Sequence, residues 1–553
     1  MTLKPLSVLL IAPLIVLAAC GGSDGDTSVG TTGASPAAST EPPSESTGDA
    51  PAATTGDAST ESTEAPSESA GDALDPTATY TFADSRIVSS FDPHKATDNY
   101  DVRWLAPVYD RLIHAQPEGG IGPGLATEWD FTDELTLELT LREGVTFHDG
   151  TVFDAEVVKA NLERAMGLED ASPVTQTAVA PIESIEVIDA NRVTIRLSEP
   201  AYGLLFDLAI QPGFMINPAA FDNSDLETNP AGSGMYELEE FRPGDRATYS
   251  RYDGYWDEGA PGAQTFVLVN MANAETRLNA VISGQVDTTF LESRQVNSAE
   301  GAGLSVDQVP TLSFFNLYTN TTLGGLDDIR VRQALAYAID RPALTQIVAG
   351  DATVQPFPST ADGYNDDFPA EYYAYDPEKA RSLLVEAGYP DGISLEIQVY
   401  SRPEDQQLTE LLLSQTSAAG ITLEPQVVDP GGAKLFVAEG SLPLFLGRFG
   451  GRLDPLQTLN TITGPGGGLN PPLGGSSTPE MAALLDQINA TPESPERVAL
   501  LEQANAELVT TALELPLFVR SLAYVSNDCV VGFQPYLSGS DEYRGVGIAN
   551  GCR

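Results

Sequence analysis

The chain has 553 residues, with 79 acidic and 28 basic side chains and a formal net charge of −51. That length excludes a small disulfide-held scaffold and implies three or more structural units at roughly 150 residues each, and a hydrophobic content of 42% is enough for sizeable cores. The acidic balance argues against nucleic acid, whose binders need a basic surface to displace counterions, and against electrostatic attraction to an anionic membrane.

In residues 1–20, Lys4 precedes an apolar run from Leu6 to Ala19. The run is too short for a comfortable membrane span and suits the core of a signal peptide. It ends in Leu17-Ala18-Ala19-Cys20, which resembles a bacterial lipobox and marks Cys20 as the lipidated residue. The alternative is an ordinary secretory signal with a chance Cys. Residues 21–79 hold eleven acids and no Lys or Arg, among Ser, Thr, Gly, Ala and Pro. Such a segment cannot bury enough apolar surface to offset chain entropy, so it reads as a disordered, extended tether. Residues 80–553 keep a net charge of −41, so the folded body is acidic in its own right.

From Tyr80 onward, strand and helix patterns mix. Leu135, Leu137, Leu139 and Leu141 alternate with polar residues and predict a half-buried strand. Asp154 is placed to cap a helix through about Met166, with Val158, Leu162 and Met166 on one face. Ile185–Val187 and Val193–Leu197 flank Asp189-Ala190-Asn191 and predict a hairpin. Further helices are expected from about Ile329 to Ile339, after Asp327 and Asp328, from Pro377 to Ala387, stopped by Gly388 and Pro390, and from about Pro495 to Thr511. The class is α/β. Beyond Cys20 the cysteines are Cys529 and Cys552. Export to an oxidising compartment predicts a disulfide between them, with two buried thiols as the alternative.

Several segments, in order, resemble the extracytoplasmic solute-binding proteins of ABC importers, the peptide and nickel type. They are FDPHKATDNYDVRWLAPVYDRLIH (91–114), GLATEWDFTDELTLELTLREGVTFHDGTVFDAEVVKANLERA (124–165), NPAGSGMYELEEFRPGDRATYSRYDGYW (229–256), RLNAVISGQVDTTFL (277–291), DDIRVRQALAYAIDR (327–341) and DPEKARSLLVEAGYPDG (376–392). In the third, Ser233 and Met235 depart from the family pattern. The resemblance covers nearly all of 80–553. It implies a bilobal clamp of the periplasmic-binding-protein type with two hinge crossings. The first lobe would hold 80–314, with an extra subdomain at about 110–230. The second would hold 315–515, and 516–553 would return to the first lobe. The crossings would fall near Phe315–Asn320 and Glu514–Phe518.

The segment Leu446 to Pro455 carries the specificity argument. Peptide-binding relatives have a Trp seven residues before this Pro and, four before it, an Asp that pairs with the peptide α-ammonium. Here Arg448 and Gly451 stand at those positions. Arg448 and Arg452 therefore favour a carboxylate-bearing ligand held by bidentate contacts, and relatives that carry non-peptide solutes also lack the Asp. The other reading is that both arginines pair with nearby acids, and Asp454 is the acid a loop shift would bring in. Tyr100 and Trp104, and Phe314, Asn316 and Tyr318 on the presumed crossing strand, are further ligand candidates, with core packing as their alternative. His94, His114 and His148 show no metal-site spacing, Gly232-Ser233-Gly234 lacks the Lys and Ser/Thr of a phosphate loop, and no nucleophile elbow is present.

The sequence thus predicts a substrate-binding lipoprotein that is not an enzyme and needs no cofactor or metal. It would capture a peptide or other small solute outside the membrane and deliver it to the permease subunits of an ABC importer. It would be monomeric, bound to the membrane only through its N-terminal lipid, and without nucleic-acid partners. The alternatives are a lipid-anchored extracellular hydrolase and a sensor lipoprotein that kept the clamp without transport.

Overall fold

A computed structural model describes residues 74–552, apart from 98, 431–433, 473 and 474. The expected signal peptide, Cys20 and the tether up to residue 73 lie outside the described residues. Residues 74–79, expected in the tether, belong to the fold. Leu74 bridges to Ala549, the Asp75 N–H donates to the Ile548 carbonyl at 2.8 Å, and a strand begins at Thr79.

Local signals produce the elements they announce. Asp154 accepts from the N–H groups of Glu156 and Val157 and starts a helix over Ala155–Gly167. Asp328, Asp376 and Ser494 cap helices Ile329–Tyr337, Pro377–Glu386 and Pro495–Thr510 in the same way. Each cap satisfies an N–H that the first helical turn leaves without a partner. The strand Thr136–Leu141 buries Leu137, Leu139 and Leu141. Leu135 and Met166, expected on the buried faces, are exposed, because each sits where its element ends.

One mixed, eleven-stranded sheet organises the body. Its order runs Ile421–Val428, Ile393–Tyr400, Leu444–Phe449, Ser305–Thr319, Leu515–Ser526, Thr288–Leu291, Thr79–Asp84, Thr265–Asn270, Arg246–Arg251 and Tyr236–Arg242. Gly350–Ala352 pairs on the side with Leu515–Ser526. The strands Ile393–Tyr400 and Ile421–Val428 are parallel and joined by the helix Pro403–Ala418, a βαβ unit. Separately, Ala126–Asp133, Thr136–Leu141, Arg192–Leu197 and Ile182–Asp189 form a four-stranded antiparallel sheet. It packs with the helix Ala155–Gly167 around its own core, which includes Leu139, Leu162 and Ile195.

Two larger cores share the long sheet. One gathers residues between Phe314 and Val519, including Leu335, Leu395, Leu446 and Leu508. The other combines Tyr80, Trp104 and Phe266 with Leu522, Tyr524 and Ile548. The antiparallel strands Ser305–Thr319 and Leu515–Ser526 run through both. Pro310 pairs with Ser521 and Phe314 with Val519, so residues 311–313 stand opposite Arg520 alone. The bulge lies where one core gives way to the other, and the ladder is interrupted there. The two cores therefore meet at residues 310–314 and 519–522. Phe315–Asn320 and Glu514–Phe518, the expected crossings, run through the Phe314–Val519 core, in which Phe315, Leu317 and Phe518 are fully buried. The C-terminal segment is closed by a disulfide between Cys529 and Cys552, with Cα atoms 5.7 Å apart.

Candidate solute site

Side-chain direction at the crossing follows from register. Arg448 pairs with Phe315, and Phe315 pairs with Phe518. Directly paired residues point to the same face of a sheet, and so does a residue two further along the strand. Arg448 and Arg520 thus lie on one face. Arg448 Nη1 is 3.5 Å from Glu404 Oε1, both side chains being about one-third exposed (34% and 30%). Arg520 is half-buried, its Nε has no hydrogen-bond partner, and none of the ion pairs among the described residues includes it. Burial lowers the proton affinity of Arg520 and the guanidinium of Arg448 lowers it further, while Glu404 from one core and Tyr100 and Glu292 from the other oppose this.

Asp405, in the first turn of the helix Pro403–Ala418, is fully buried; its Oδ2 lies 4.0 Å from Arg402 Nη1, and neither carboxylate oxygen is hydrogen-bonded. Burial, and then the charge of Glu404, push its carboxyl up to about 6 against the pull of Arg402, Arg448 and Arg520. Tyr100 approaches from the other core, held between Arg86 (4.2 Å from the ring centroid) and Arg103 (5.4 Å). Arg103 is fully buried and anchored by Asp541 at 3.1 Å and by the Tyr524 hydroxyl at 3.1 Å. The C-terminal tail thereby fixes the platform on which Tyr100 stands.

Arg452 goes elsewhere. Its guanidinium lies 4.9 Å from the ring of Phe449, and Phe449 packs edge-on against Phe314, on the face opposite Arg448. There it lines a cavity of about 530 Å³ with Val174, Asp207, Ile210, Gln457 and Thr461. This is a typical volume for a small-molecule pocket. Val174, Asp207 and Ile210 belong to the segment of the four-stranded unit, Gln457 and Thr461 to the Phe314–Val519 core. Gln457 Nε2 donates to Asp207 Oδ1 at 3.0 Å, and burial still pushes the Asp207 carboxyl up to about 7. The two arginines that the sequence reading paired therefore serve different parts of the crossing.

Gly451 explains why no acid stands at its position. It has φ +68°, and a Cβ there would lie 2.3 Å from the Leu312 carbonyl oxygen. Only glycine lets this loop pass so close to the crossing strand.

The candidates Asp454, Trp104, Phe314, Asn316 and Tyr318 are all buried. Asp454 is fully buried, caps the helix Pro455–Thr463 and accepts two hydrogen bonds from Arg497 Nη2 at 2.9 and 3.0 Å. Its charge is already paired inside the protein. Trp104 is 1% exposed in the core it shares with Tyr80. Phe314 is enclosed against Phe449, and Tyr318 stacks on Phe445 with ring centroids 5.4 Å apart. Asn316 is buried and donates to Glu514 Oε2 at 2.6 Å, and burial holds the Glu514 carboxyl well above its usual range. Phe314, Asn316 and Tyr318 are enclosed because both faces of this end of the strand Ser305–Thr319 are covered. Arg520 was missed, although it is the lone charge in LPLFVRSLAYVS, a visible signal. Asp207, Glu404 and Asp405 carry no local signal.

The histidines pair with neighbouring groups outside the Phe314–Val519 core. His114 Nε2 is 2.6 Å from Asp110, His148 Nε2 is 2.9 Å from the Gly234 carbonyl, and His94 Nδ1 is 2.7 Å from Arg164. Among the described residues no group of three or more His, Cys, Asp or Glu could hold a metal ion. No helix of the described residues is long and apolar enough to cross a membrane.

A bilobal α/β body with charged groups converging on its crossing is a solute-binding component of ABC importers rather than an enzyme. Residues 120–470 match the model of the bacterial extracellular solute-binding proteins, family 5 Middle, and the chain belongs to this family. It is 30% identical over 355 residues to the glutathione-binding protein GsiB of Salmonella paratyphi A, covering 62% of this chain and 68% of that protein. The structure of HbpA2 from Haemophilus parasuis superposes with a TM-score of 0.78 at 21% identity, over 85% of this chain and 100% of that one. The periplasmic binding protein DppA from Helicobacter pylori, in complex with the peptide STSA, does so with a TM-score of 0.70 at 23% identity, over 86% and 98%.

Proposed function

We propose that the protein is a lipid-anchored receptor that captures a small, carboxylate-bearing, peptide-like solute and presents it to an ABC permease. Cys20 would carry the lipid, and the acidic segment after it would hold the clamp away from the membrane. The first lobe would comprise residues 74–310 and 522–552, with the four-stranded unit as its extra subdomain, and the second lobe residues 314–519. Solute would bind between them and stabilise the closed form by touching both. The working unit is a monomer.

The observation that carries this reading is the cavity of about 530 Å³, whose walls come from both sides of the crossing and include the Arg452 guanidinium. Likeness to a glutathione-binding protein and to a peptide-bound structure supports a peptide-like solute. The test is titration calorimetry on the mature chain with glutathione and with short peptides bearing either a free or an amidated C-terminus. Binding of the free acids, weakened roughly tenfold by amidation or by Arg452→Gln, is the expected result. Equal affinity for acids and amides would refute the carboxylate reading. For the anchor, Cys20→Ser should move the protein from the membrane fraction to the medium.

A further inference from the structure

The Arg448–Glu404–Arg520 cluster has a composition that the protein itself does not complete. Arg448 and Arg520 share one sheet face, and Arg520 Nε is buried with nothing to donate to. The two arginines stand on strands separated by the strand Ser305–Thr319, and like charges turned to one face repel each other unless an anion stands between them. Glu404 forms an ion pair with Arg448 at 3.5 Å, and both keep about a third of their side chains open to solvent. Asp405, next to Glu404 in sequence, pairs with Arg402 at 4.0 Å and has no hydrogen bond to either carboxylate oxygen. The cluster also sits at the bulge between the cores, where groups of both meet around Arg520.

We propose that this cluster is a receptor for an α-amino-acid head group, with Arg520 and Arg448 taking the carboxylate and Glu404 taking the ammonium. Such a head carries its opposite charges on one carbon, a spacing comparable to the 3.5 Å between Arg448 and Glu404. A carboxylate inserted beside Arg520 supplies the acceptor its Nε lacks, as a charge-assisted bond. Asp405 adds negative potential beneath the ammonium without touching it. Arg520 belongs to a crossing strand, so a solute held there contacts the element that bends when the lobes close. The inference rests on the reading of the protein as a solute receptor, and it places the amino-acid head on the Arg448 face of the sheet, apart from the Arg452 cavity. It selects γ-linked peptides such as glutathione, which keep an intact amino-acid head, over ordinary peptides, whose terminal ammonium and carboxylate are far apart.

The experiment is calorimetric titration of the mature chain with glutathione, N-acetylglutathione and tri-alanine, in wild type, Arg520→Gln, Arg520→Lys and Glu404→Gln. Wild type should bind glutathione at least roughly tenfold more tightly than either other probe. Arg520→Gln should weaken glutathione by roughly tenfold or more, and Arg520→Lys by less, because it retains the charge and loses the fork. Glu404→Gln should abolish the preference for glutathione over its N-acetyl form, an effect that general destabilisation does not produce. The side chain of Glu404 is partly exposed, so this variant tests the site even if the hinge variants fold poorly. Binding of tri-alanine as tight as glutathione, or an unchanged preference in Glu404→Gln, overturns the head-group assignment and leaves the receptor reading in place. Failure of wild type to bind all three probes overturns both.

Discussion

Replacing Asp454 by Ala removes a carboxylate that is fully buried, caps the helix Pro455–Thr463 through the Leu456 N–H and accepts two hydrogen bonds from Arg497. Two losses combine. Breaking a buried ion pair from one side costs about 3–5 kcal/mol, because the remaining charge stays buried without its counter-charge. Losing the cap adds about 1 kcal/mol. Arg497 keeps a secondary contact with Glu493 at 3.3 Å, and Glu493 is partly exposed, which softens the first loss. The expected destabilisation is about 4 kcal/mol for Asp454→Ala. For Asp454→Asn, which retains an acceptor for the cap, it is about 1 kcal/mol less. Urea unfolding monitored by fluorescence and by circular dichroism measures both. Arg497→Met should cost a similar amount alone. The double variant Asp454→Leu/Arg497→Met should cost much less than the sum, because no buried charge is left over. A loss below about 1 kcal/mol in Asp454→Ala, or strict additivity in the double variant, would refute the pairing argument. Weakened solute binding in Asp454→Asn at unchanged stability would return Asp454 to the ligand site.

Three further outcomes follow from the geometry. Burial pushes the Asp207 carboxyl to about 7, so the folded form holds this proton more tightly than the unfolded chain does. Its contribution is greatest below the unfolded value near 3.8 and is lost as pH rises toward about 7. Asp207→Asn should flatten the decline of stability across that window, and parallel urea titrations at pH 5 and pH 8 will show whether it does. Reducing the Cys529–Cys552 disulfide, or replacing both residues by Ser, should lower stability by about 3 kcal/mol, and an unchanged urea midpoint would count against a stabilising role. Gly451→Asp should not create an ammonium site. The positive φ and the 2.3 Å approach to Leu312 predict a loss of about 2 kcal/mol or more, whereas a stable variant with new affinity for free peptide amines would contradict this.

The elements that the sequence settled are those set within one or two turns of chain. Asp154, Asp328, Asp376 and Ser494 stand beside the N–H groups they cap, and the alternation through Leu137, Leu139 and Leu141 sets a strand face by itself. The order of the family segments carried the bilobal fold for the same reason: each block is a local pattern, and their succession is one-dimensional information. What only the tertiary structure decided involves partners distant in sequence. Arg448 and Arg452 are four residues apart, yet the end of a strand and a turn at Gly451 send them to opposite faces of the sheet. Asp454 meets an arginine 43 residues away, and Arg520 meets Tyr100 and Glu292 only because two long strands carry it from one core to the other. Whether a charge is free for a solute or already spent inside the protein depends on which distant groups surround it. That is a property of packing in three dimensions, which no local pattern encodes.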